Sequence, residues 1–123
     1  MIAGIGMDIT ETARIQQAVE KHGQHFLDRL LTPREQQESG GHITYYAGRW
    51  AAKEAIAKAL GCGLGAQCSF TDIEILRQES GRPRAALSGQ AERTAAGLKV
   101  SRIHLTITHE RLYAAATAVL ESD

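Results

Sequence analysis

The stretch YYAGRWAAKEAIAKALG, residues 45–61, decides the architecture of this 123-residue chain. It is rich in alanine, the residue that helices favour most, and it predicts a helix from roughly Tyr45 to Leu60. Gly61 follows as a typical end signal. On a helical projection six residues form one apolar arc: Ala51, Ala52, Ala55, Ile56, Ala59 and Leu60. We therefore expect one long central helix with this arc buried.

The residues before this helix predict a strand followed by shorter helices. Residues 2–9 alternate small and apolar side chains, which is typical of a strand. Apolar residues then recur at helical spacing from Thr12 to about Leu31, and Gly23 divides this segment into two pieces. Thr32-Pro33-Arg34-Glu35 indicates a helix start, since threonine can cap it and glutamate can close a capping box.

The residues after the helix predict a small antiparallel sheet. Its strands are expected at Ile73–Leu76, Ala85–Leu87, Ile103–Ile107 and Tyr113–Leu120, with turns at Ser80–Pro83 and near Glu110-Arg111 and a short helix from Gln90 to Leu98. The predicted fold class is therefore α+β, in one domain that spans residues 1–123.

Composition and charge exclude several classes of partner. The formal net charge is zero and the pI is near 7.0, so no global charge favours nucleic acid or an anionic membrane. No secretory signal and no apolar run of membrane-spanning length is present, so a cytoplasmic protein is expected. In the cytosol Cys62 and Cys68 are expected to be reduced thiols.

Asp8, Glu54 and Lys58 are candidate functional groups, although each also has an ordinary structural interpretation. Glu54 and Lys58 are four apart on the predicted helix, a spacing that also suits a surface ion pair worth a few tenths of a kcal/mol. Asp8 ends a strand, where an acid often serves a turn. A strand-end carboxylate beside a helix carboxylate is nonetheless a known way to hold Mg²⁺ with waters and phosphates. The residues alone leave both interpretations open.

Other polar positions are less specific. Lys53 falls near the opposite border of the apolar arc from Glu54 and Lys58, which argues against a catalytic role. The loop Gly61–Gly65 offers backbone N–H groups for phosphate, but a glycine loop after a helix is commonly a C-cap. His109 at a strand end is commonly a satisfied polar residue, and Trp50 is expected to be a packing anchor.

Five stretches, in order along the chain, resemble one family, the holo-acyl-carrier-protein synthases, which are small homotrimeric phosphopantetheinyl transferases. They are Gly4–Ile9 with Arg14, Gly48–Ala55 with Lys58–Gly61, Thr71–Ile75, Gly81–Pro83, and Thr106–His109. The resemblance runs from Met1 to about Glu121, and the second stretch is highly specific. Thr106 stands where many members have serine, and Cys62 where threonine is common.

This resemblance implies a reaction and a set of roles. The chain would transfer 4′-phosphopantetheine from coenzyme A to a serine of apo acyl carrier protein, releasing 3′,5′-ADP, in fatty acid biosynthesis. Asp8 and Glu54 would bind Mg²⁺, with Mn²⁺ as the alternative ion. Glu54 would also serve as base and Lys58 would stabilise the leaving phosphate.

The same resemblance implies a homotrimer whose coenzyme A cleft lies at a subunit boundary, and the small side chains of the last strand suit close sheet packing. The cleft residues would be Arg49, Lys58, Gly65, Pro83 and His109, and Arg14 would meet an acidic helix of the carrier protein. Two other functions compete with this one. They are a coenzyme A-binding module that has lost catalysis, and a Mg²⁺-dependent phosphohydrolase that uses the same two acids on water.

Overall fold

The computed structural model of the protein describes residues 1–65 and 67–123. Its elements, in chain order, are β1 (Ile2–Glu11), α1 (Thr12–His22), α2 (Gln24–Leu30), α3 (Pro33–Ser39), α4 (Ile43–Leu60), β2 (Ile73–Arg77), β3 (Pro83–Leu87), α5 (Gly89–Gly97), β4 (Val100–His109) and β5 (Tyr113–Ser122). A single 3-10 turn, Phe70–Asp72, precedes β2. The predicted α+β class is confirmed, and the element boundaries differ from prediction by three residues or fewer.

The strands form two separate groups. An antiparallel sheet has the order β1-β5-β4, and β2 pairs with β3 as an antiparallel hairpin. The sequence predicts a sheet built from the second half of the chain, whereas the structure also adds the N-terminal strand at one edge. Asp8 on β1 lies opposite Ala116 on β5, so the site candidate belongs to this sheet.

Helix α4 packs closely against β1 because two glycines leave room for its backbone. A Cβ atom added at Gly4 would collide with the carbonyl oxygen of Ala59, and one added at Gly6 with that of Ala55. The whole predicted apolar arc is buried. Although α4 has 18 residues, no helix in the described part of the chain is long and apolar enough to cross a membrane.

The other face of α4 is covered by the shorter helices and the hairpin. Gly23 adopts a φ of 55° and separates α1 from α2, as predicted. The predicted capping box at Thr32 and Glu35 starts α3. Trp50 stacks against Phe26 and Phe70, with ring centroids 6.1 and 4.7 Å away, so its predicted role as a packing anchor is confirmed.

The prediction of two reduced thiols is wrong, since Cys62 and Cys68 form a disulfide and no described cysteine is free. The loop after α4 turns back on itself, with the Gly65 N–H donating to the Cys68 carbonyl at 2.7 Å. This turn brings the two Cα atoms to 6.6 Å, within the range that a disulfide spans. The prediction rested on redox compartment, which carries no information about proximity.

Candidate active site

Strand β1 and the C-terminal half of α4 bring Asp8 and Lys58 together. The Lys58 ammonium donates to Asp8 Oδ1 at 3.0 Å and to the Met7 carbonyl at 3.1 Å. The Asp8 side chain is 14% exposed and the Lys58 side chain 53%. Lys58 therefore pairs with the strand carboxylate, whereas a surface pair with Glu54 was the ordinary alternative.

Glu54 completes this group of three, one helical turn before Lys58. Burial raises the pKa of Glu54, and the nearby Asp8 carboxylate raises it further while Lys58 opposes the shift. Two carboxylates thus repel each other at a partly dehydrated place. We call Asp8, Glu54 and Lys58 the acidic site.

Asp8 and Glu54 supply carboxylate oxygens, which are the ligands that Mg²⁺ takes from proteins. No group of three or more His, Cys, Asp or Glu side chains able to hold a metal lies together in residues 1–65 and 67–123. Two carboxylates alone would supply only part of an octahedron, and Mg²⁺ ordinarily keeps waters and takes substrate phosphate oxygens for the remainder. The residues present therefore fit this ion and leave positions for a diphosphate.

A separate cleft of about 360 Å³ lies between the N-terminal half of α4, the β2–β3 hairpin and the end of β4. Three residues predicted for coenzyme A line it, namely Arg49, Pro83 and His109. The other lining residues are Ser39, His42, Thr44, Tyr45, Gly48, Arg77, Gly81 and Ile107. Lys58 and Gly65, also predicted to bind coenzyme A, are not in its lining.

Arg49 is buried and held from several sides. Its Nε donates to the Ile75 carbonyl at 2.9 Å, and a terminal nitrogen donates to Glu38 Oε1 at 3.1 Å. Its guanidinium lies 4.1 Å from the centroid of the Tyr45 ring. The i,i+4 spacing of Tyr45 and Arg49 in α4 could have indicated this stacking pair.

The sequence reasoning missed Arg77, which lines the cleft, and Glu38, which pairs with Arg49 and Arg77 of that lining. Burial would raise the pKa of Glu38, but hydrogen bonds from the Arg77 N–H and the Tyr45 hydroxyl, with the charges of Arg49 and Arg77, hold it below its usual value. Glu38 is therefore an anion paired with two guanidinium groups of the cleft lining, which outnumber it two to one. No local sequence signal marks these contacts, because they join different elements.

The cleft and the acidic site lie on different sides of α4. Lys58 follows Arg49 by nine positions, which places it about 180° around the helix and about 13 Å along it. A ligand held in the cleft of one chain therefore faces away from that chain's own Asp8 and Lys58.

Lys53 and Arg14 lie outside both the cleft and the acidic site. Lys53 is fully buried and donates to Glu35 Oε1 at 2.7 Å and to the Leu30 carbonyl at 2.6 Å. Because its ammonium is buried in these contacts, the structure agrees with the argument against a catalytic role. Arg14 is exposed on α1, where it is accessible to another protein.

The fold and these sites define a class, because residues 4–118 match the family model of the 4′-phosphopantetheinyl transferase superfamily. The chain belongs to the holo-acyl-carrier-protein synthases within this class, and the predicted family is confirmed. A holo-[acyl-carrier-protein] synthase of Maridesulfovibrio salexigens is 43% identical over 123 residues, covering 98% of this chain and 99% of the relative.

Solved structures agree with this assignment. The chain is similar to the synthase of Neisseria meningitidis, with a TM-score of 0.90 and 37% identity over 99% of this chain and 100% of that one. It is also similar to the Helicobacter pylori synthase in complex with coenzyme A, with a TM-score of 0.86 and 32% identity over 95% and 99% of the two chains.

Proposed function

We propose that this chain transfers 4′-phosphopantetheine from coenzyme A to a serine of apo acyl carrier protein, with Asp8 and Glu54 holding Mg²⁺, or alternatively Mn²⁺. The observation that carries the proposal is the meeting of two mutually repelling carboxylates and a half-exposed ammonium on β1 and α4. A similar protein, the Helicobacter pylori synthase, has been solved with coenzyme A.

The transfer requires a group that accepts a proton and groups that stabilise negative charge, and the side chains of the acidic site suit both requirements. A bound Mg²⁺ would supply charge neutralisation and orientation of the diphosphate. Glu54, whose pKa is raised by burial and by the Asp8 carboxylate, is suited to accept the proton of the carrier serine hydroxyl. That oxygen attacks the β-phosphorus, and the bond from this phosphorus to the bridging oxygen breaks. Lys58 then stabilises the charge on the departing 3′,5′-ADP.

The cleft supplies binding for the anionic nucleotide end of coenzyme A. Arg49 and His109 line it with Pro83, and the exposed Arg77 adds a further cation. Because this cleft faces away from the acidic site of its own chain, we assign a complete active site to a boundary between two subunits. There Gly65 and Lys58 of one subunit would face the cleft of the next.

We propose a homotrimer as the assembly that forms these boundaries. The sheet has an uncovered apolar face, which we call the outer face, and on β1 it presents Ile5, Met7 and Ile9 at 69%, 66% and 64% exposure. Side chains of this size in one row are costly to leave in water. Their partners across the sheet are Val119, Thr117 and Ala115 of β5. These residues belong to the strand whose small side chains were predicted to allow close sheet packing.

Several coarser properties accompany this proposal. We treat residues 1–123 as one domain, because α4 contacts elements from both halves of the chain. The cytoplasmic location and the place in fatty acid biosynthesis stay predictions.

One experiment separates this function from its two competitors. The protein is incubated with apo acyl carrier protein, coenzyme A and Mg²⁺, and the carrier mass is followed by mass spectrometry. Transfer adds one phosphopantetheine to the carrier, with 3′,5′-ADP as the second product. A phosphohydrolase consumes coenzyme A and leaves the carrier mass unchanged, and a binding module does neither.

Lys58→Ala is expected to lower kcat about 100-fold and to change the KM for coenzyme A much less, because the leaving phosphate gains charge during the reaction. Steady-state kinetics measure the split. Lys58→Arg is the control, since it keeps the cation and should recover part of the rate. If only the KM for coenzyme A rose in Lys58→Ala, Lys58 would be a binding residue.

Arg14→Glu is expected to weaken carrier binding about tenfold and leave coenzyme A binding intact, because it opposes an acidic partner with a like charge. Surface plasmon resonance at low salt measures the association rate. Arg93→Glu, an equal charge reversal on the exposed face of α5, is the matched control. Equal carrier kinetics for both variants and the wild type would remove Arg14 from the carrier-binding surface.

A further inference from the structure

Glu35 and Lys53 form the one ion pair in the described residues in which both side chains are fully buried. The Lys53 ammonium lies 2.7 Å from Glu35 Oε1. Neither residue takes part in the proposed reaction, although Lys53 immediately precedes Glu54 within the most specific sequence motif. A buried ion pair is weak evidence for stability, because removing two charges from water offsets much of their attraction. The pair therefore calls for an explanation other than stability.

The contacts of this pair join four elements at one point. Lys53 also donates to the carbonyl of Leu30 at the end of α2, at 2.6 Å. Glu35 Oε1 accepts from the Thr32 N–H at the start of α3, at 2.9 Å, and Oε2 accepts from the Ile75 N–H of β2, at 2.8 Å. The two side chains therefore fix α4 against α2, α3 and β2 together.

Arg49 extends this arrangement to the cleft. It lies one helical turn before Lys53, on the same side of α4, and donates to the carbonyl of Ile75. Both backbone groups of Ile75 are thus held, one by Glu35 and the other by Arg49. Since β2 continues into the hairpin that carries Pro83, the same contacts locate one wall of the cleft.

The contacts on the opposite side of α4 do little to fix the rotation of the helix about its axis. There Gly4 and Gly6 of β1 meet the backbone at Ala55 and Ala59. Glycine and alanine allow a close approach, but their small side chains interdigitate little and oppose sliding or rotation weakly. Because consecutive helix residues differ by about 100°, holding Lys53 in one direction also holds Glu54 in one direction.

We propose that Glu35 and Lys53 are positioning residues, which hold α4 in the rotation that turns Glu54 toward Asp8 and, together with Arg49, fix the β2–β3 hairpin at the cleft. The inference rests on the proposed metal site. Neither residue touches substrate or metal, and both act through Glu54 and the hairpin.

The test is the double variant Glu35→Gln/Lys53→Met, which removes both charges and keeps the side-chain volumes. Replacing a whole buried pair in this way is commonly tolerated, whereas removing one partner leaves an unpaired buried charge. We expect the double variant to fold with a lowered melting temperature, because glutamine has one acceptor oxygen, whereas Glu35 accepts from the N–H groups of both Thr32 and Ile75. The Kd for Mn²⁺, measured by electron paramagnetic resonance with 3′,5′-ADP present, should rise about tenfold or more, and kcat/KM for coenzyme A should fall about 10- to 100-fold.

Ile56→Val is the matched control, because it removes one methylene from the same helix at a fully buried position. It should lower the melting temperature and leave the Kd for Mn²⁺ unchanged. A folded double variant with wild-type Mn²⁺ affinity and wild-type kinetics would overturn the proposal. If the double variant did not fold, the same measurements on Lys53→Arg would test the proposal, since arginine retains the charge but shifts its position. Wild-type Mn²⁺ affinity and kinetics in a folded Lys53→Arg variant would overturn it.

Failure of the metal site itself would be visible separately. A wild-type protein that bound no Mn²⁺ would contradict the proposed function at Asp8 and Glu54. In that case the KM for coenzyme A in the double variant alone would decide whether the pair fixes the hairpin, with an unchanged KM overturning the proposal.

Discussion

Replacing Asp8 with asparagine is expected to lower Mg²⁺-dependent transfer on the order of 100-fold or more while the protein remains folded. Asparagine keeps the size of the side chain and one acceptor oxygen, but it removes the charge that attracts the ion. Glu54 alone would then face Mg²⁺, and a single carboxylate is a poor ligand set for an ion that dehydrates reluctantly.

The stability of Asp8→Asn depends on two opposing changes. The variant loses the ion pair with Lys58, which is half exposed and therefore worth about 1 kcal/mol or less. It also removes the charge that, after burial, raises the pKa of Glu54. We expect the two to cancel to within about 1 kcal/mol, so thermal unfolding should change little.

The same reasoning predicts a pH dependence. An acid whose pKa is raised in the folded state binds more protons when folded, so its contribution to stability falls as pH rises from its unfolded value through its raised value. Asp8→Asn removes one cause of the raised pKa of Glu54. Over that window, melting temperatures measured without metal should therefore fall less steeply in the variant than in the wild type.

Transfer rates across a Mg²⁺ titration measure the main effect. Glu11→Gln serves as control, because Glu11 is an exposed carboxylate at the end of the same strand. The control should keep the wild-type rate and Mg²⁺ requirement. A stable, fully active Asp8→Asn enzyme with an unaltered Mg²⁺ requirement would eliminate the metal site and leave Asp8 as a strand residue paired with Lys58.

Features that depend on neighbours in sequence could be predicted well. The apolar arc of α4 follows from helical periodicity, and the capping box at Thr32 and Glu35 from a spacing of three residues. Residue type and position made Asp8 and Glu54 candidates, but their joint role at one ion came from the family resemblance, since no spacing rule brings together residues on separate elements. In the structure Asp8 pairs with Lys58, which lies one helical turn after Glu54.

Features that depend on tertiary contacts could not be predicted. Glu35 was identified as a capping residue, and this was correct, but its second role with Lys53 requires knowing that α3 and α4 pack together. The disulfide between Cys62 and Cys68 likewise depends on how the loop turns back after α4. In each case the sequence shows the residue type, but tertiary packing determines which residue it contacts.

Ile5→Glu is expected to dissociate the proposed trimer and to lower transfer on the order of 100-fold. Ile5 is 69% exposed on the outer face, so a charge there costs the single chain little. At a subunit boundary, however, the same charge would be buried without a partner. Light scattering measures the assembly and the transfer assay measures the activity.

Leu98→Glu is the matched control, because Leu98 is also an exposed apolar residue but follows α5, outside the sheet. It should leave both assembly and activity unchanged. A wild-type protein that is monomeric at working concentration, or a fully active monomeric Ile5→Glu variant, would contradict the shared active site.

Mixed trimers test the sharing directly, because the acidic site and the cleft lie on different sides of α4. Asp8→Asn inactivates the acidic site, and His109→Ala with Arg77→Ala weakens the cleft. Each variant alone is expected to be nearly inactive.

Trimers are then assembled from equal amounts of the Asp8→Asn variant and the His109→Ala/Arg77→Ala variant. A subunit boundary has an intact active site only when its acidic site comes from the His109→Ala/Arg77→Ala chain and its cleft from the Asp8→Asn chain. Random assembly gives this arrangement at about a quarter of boundaries, so about a quarter of wild-type activity should return. If each site lay within one chain, no boundary would be intact and mixing would restore nothing.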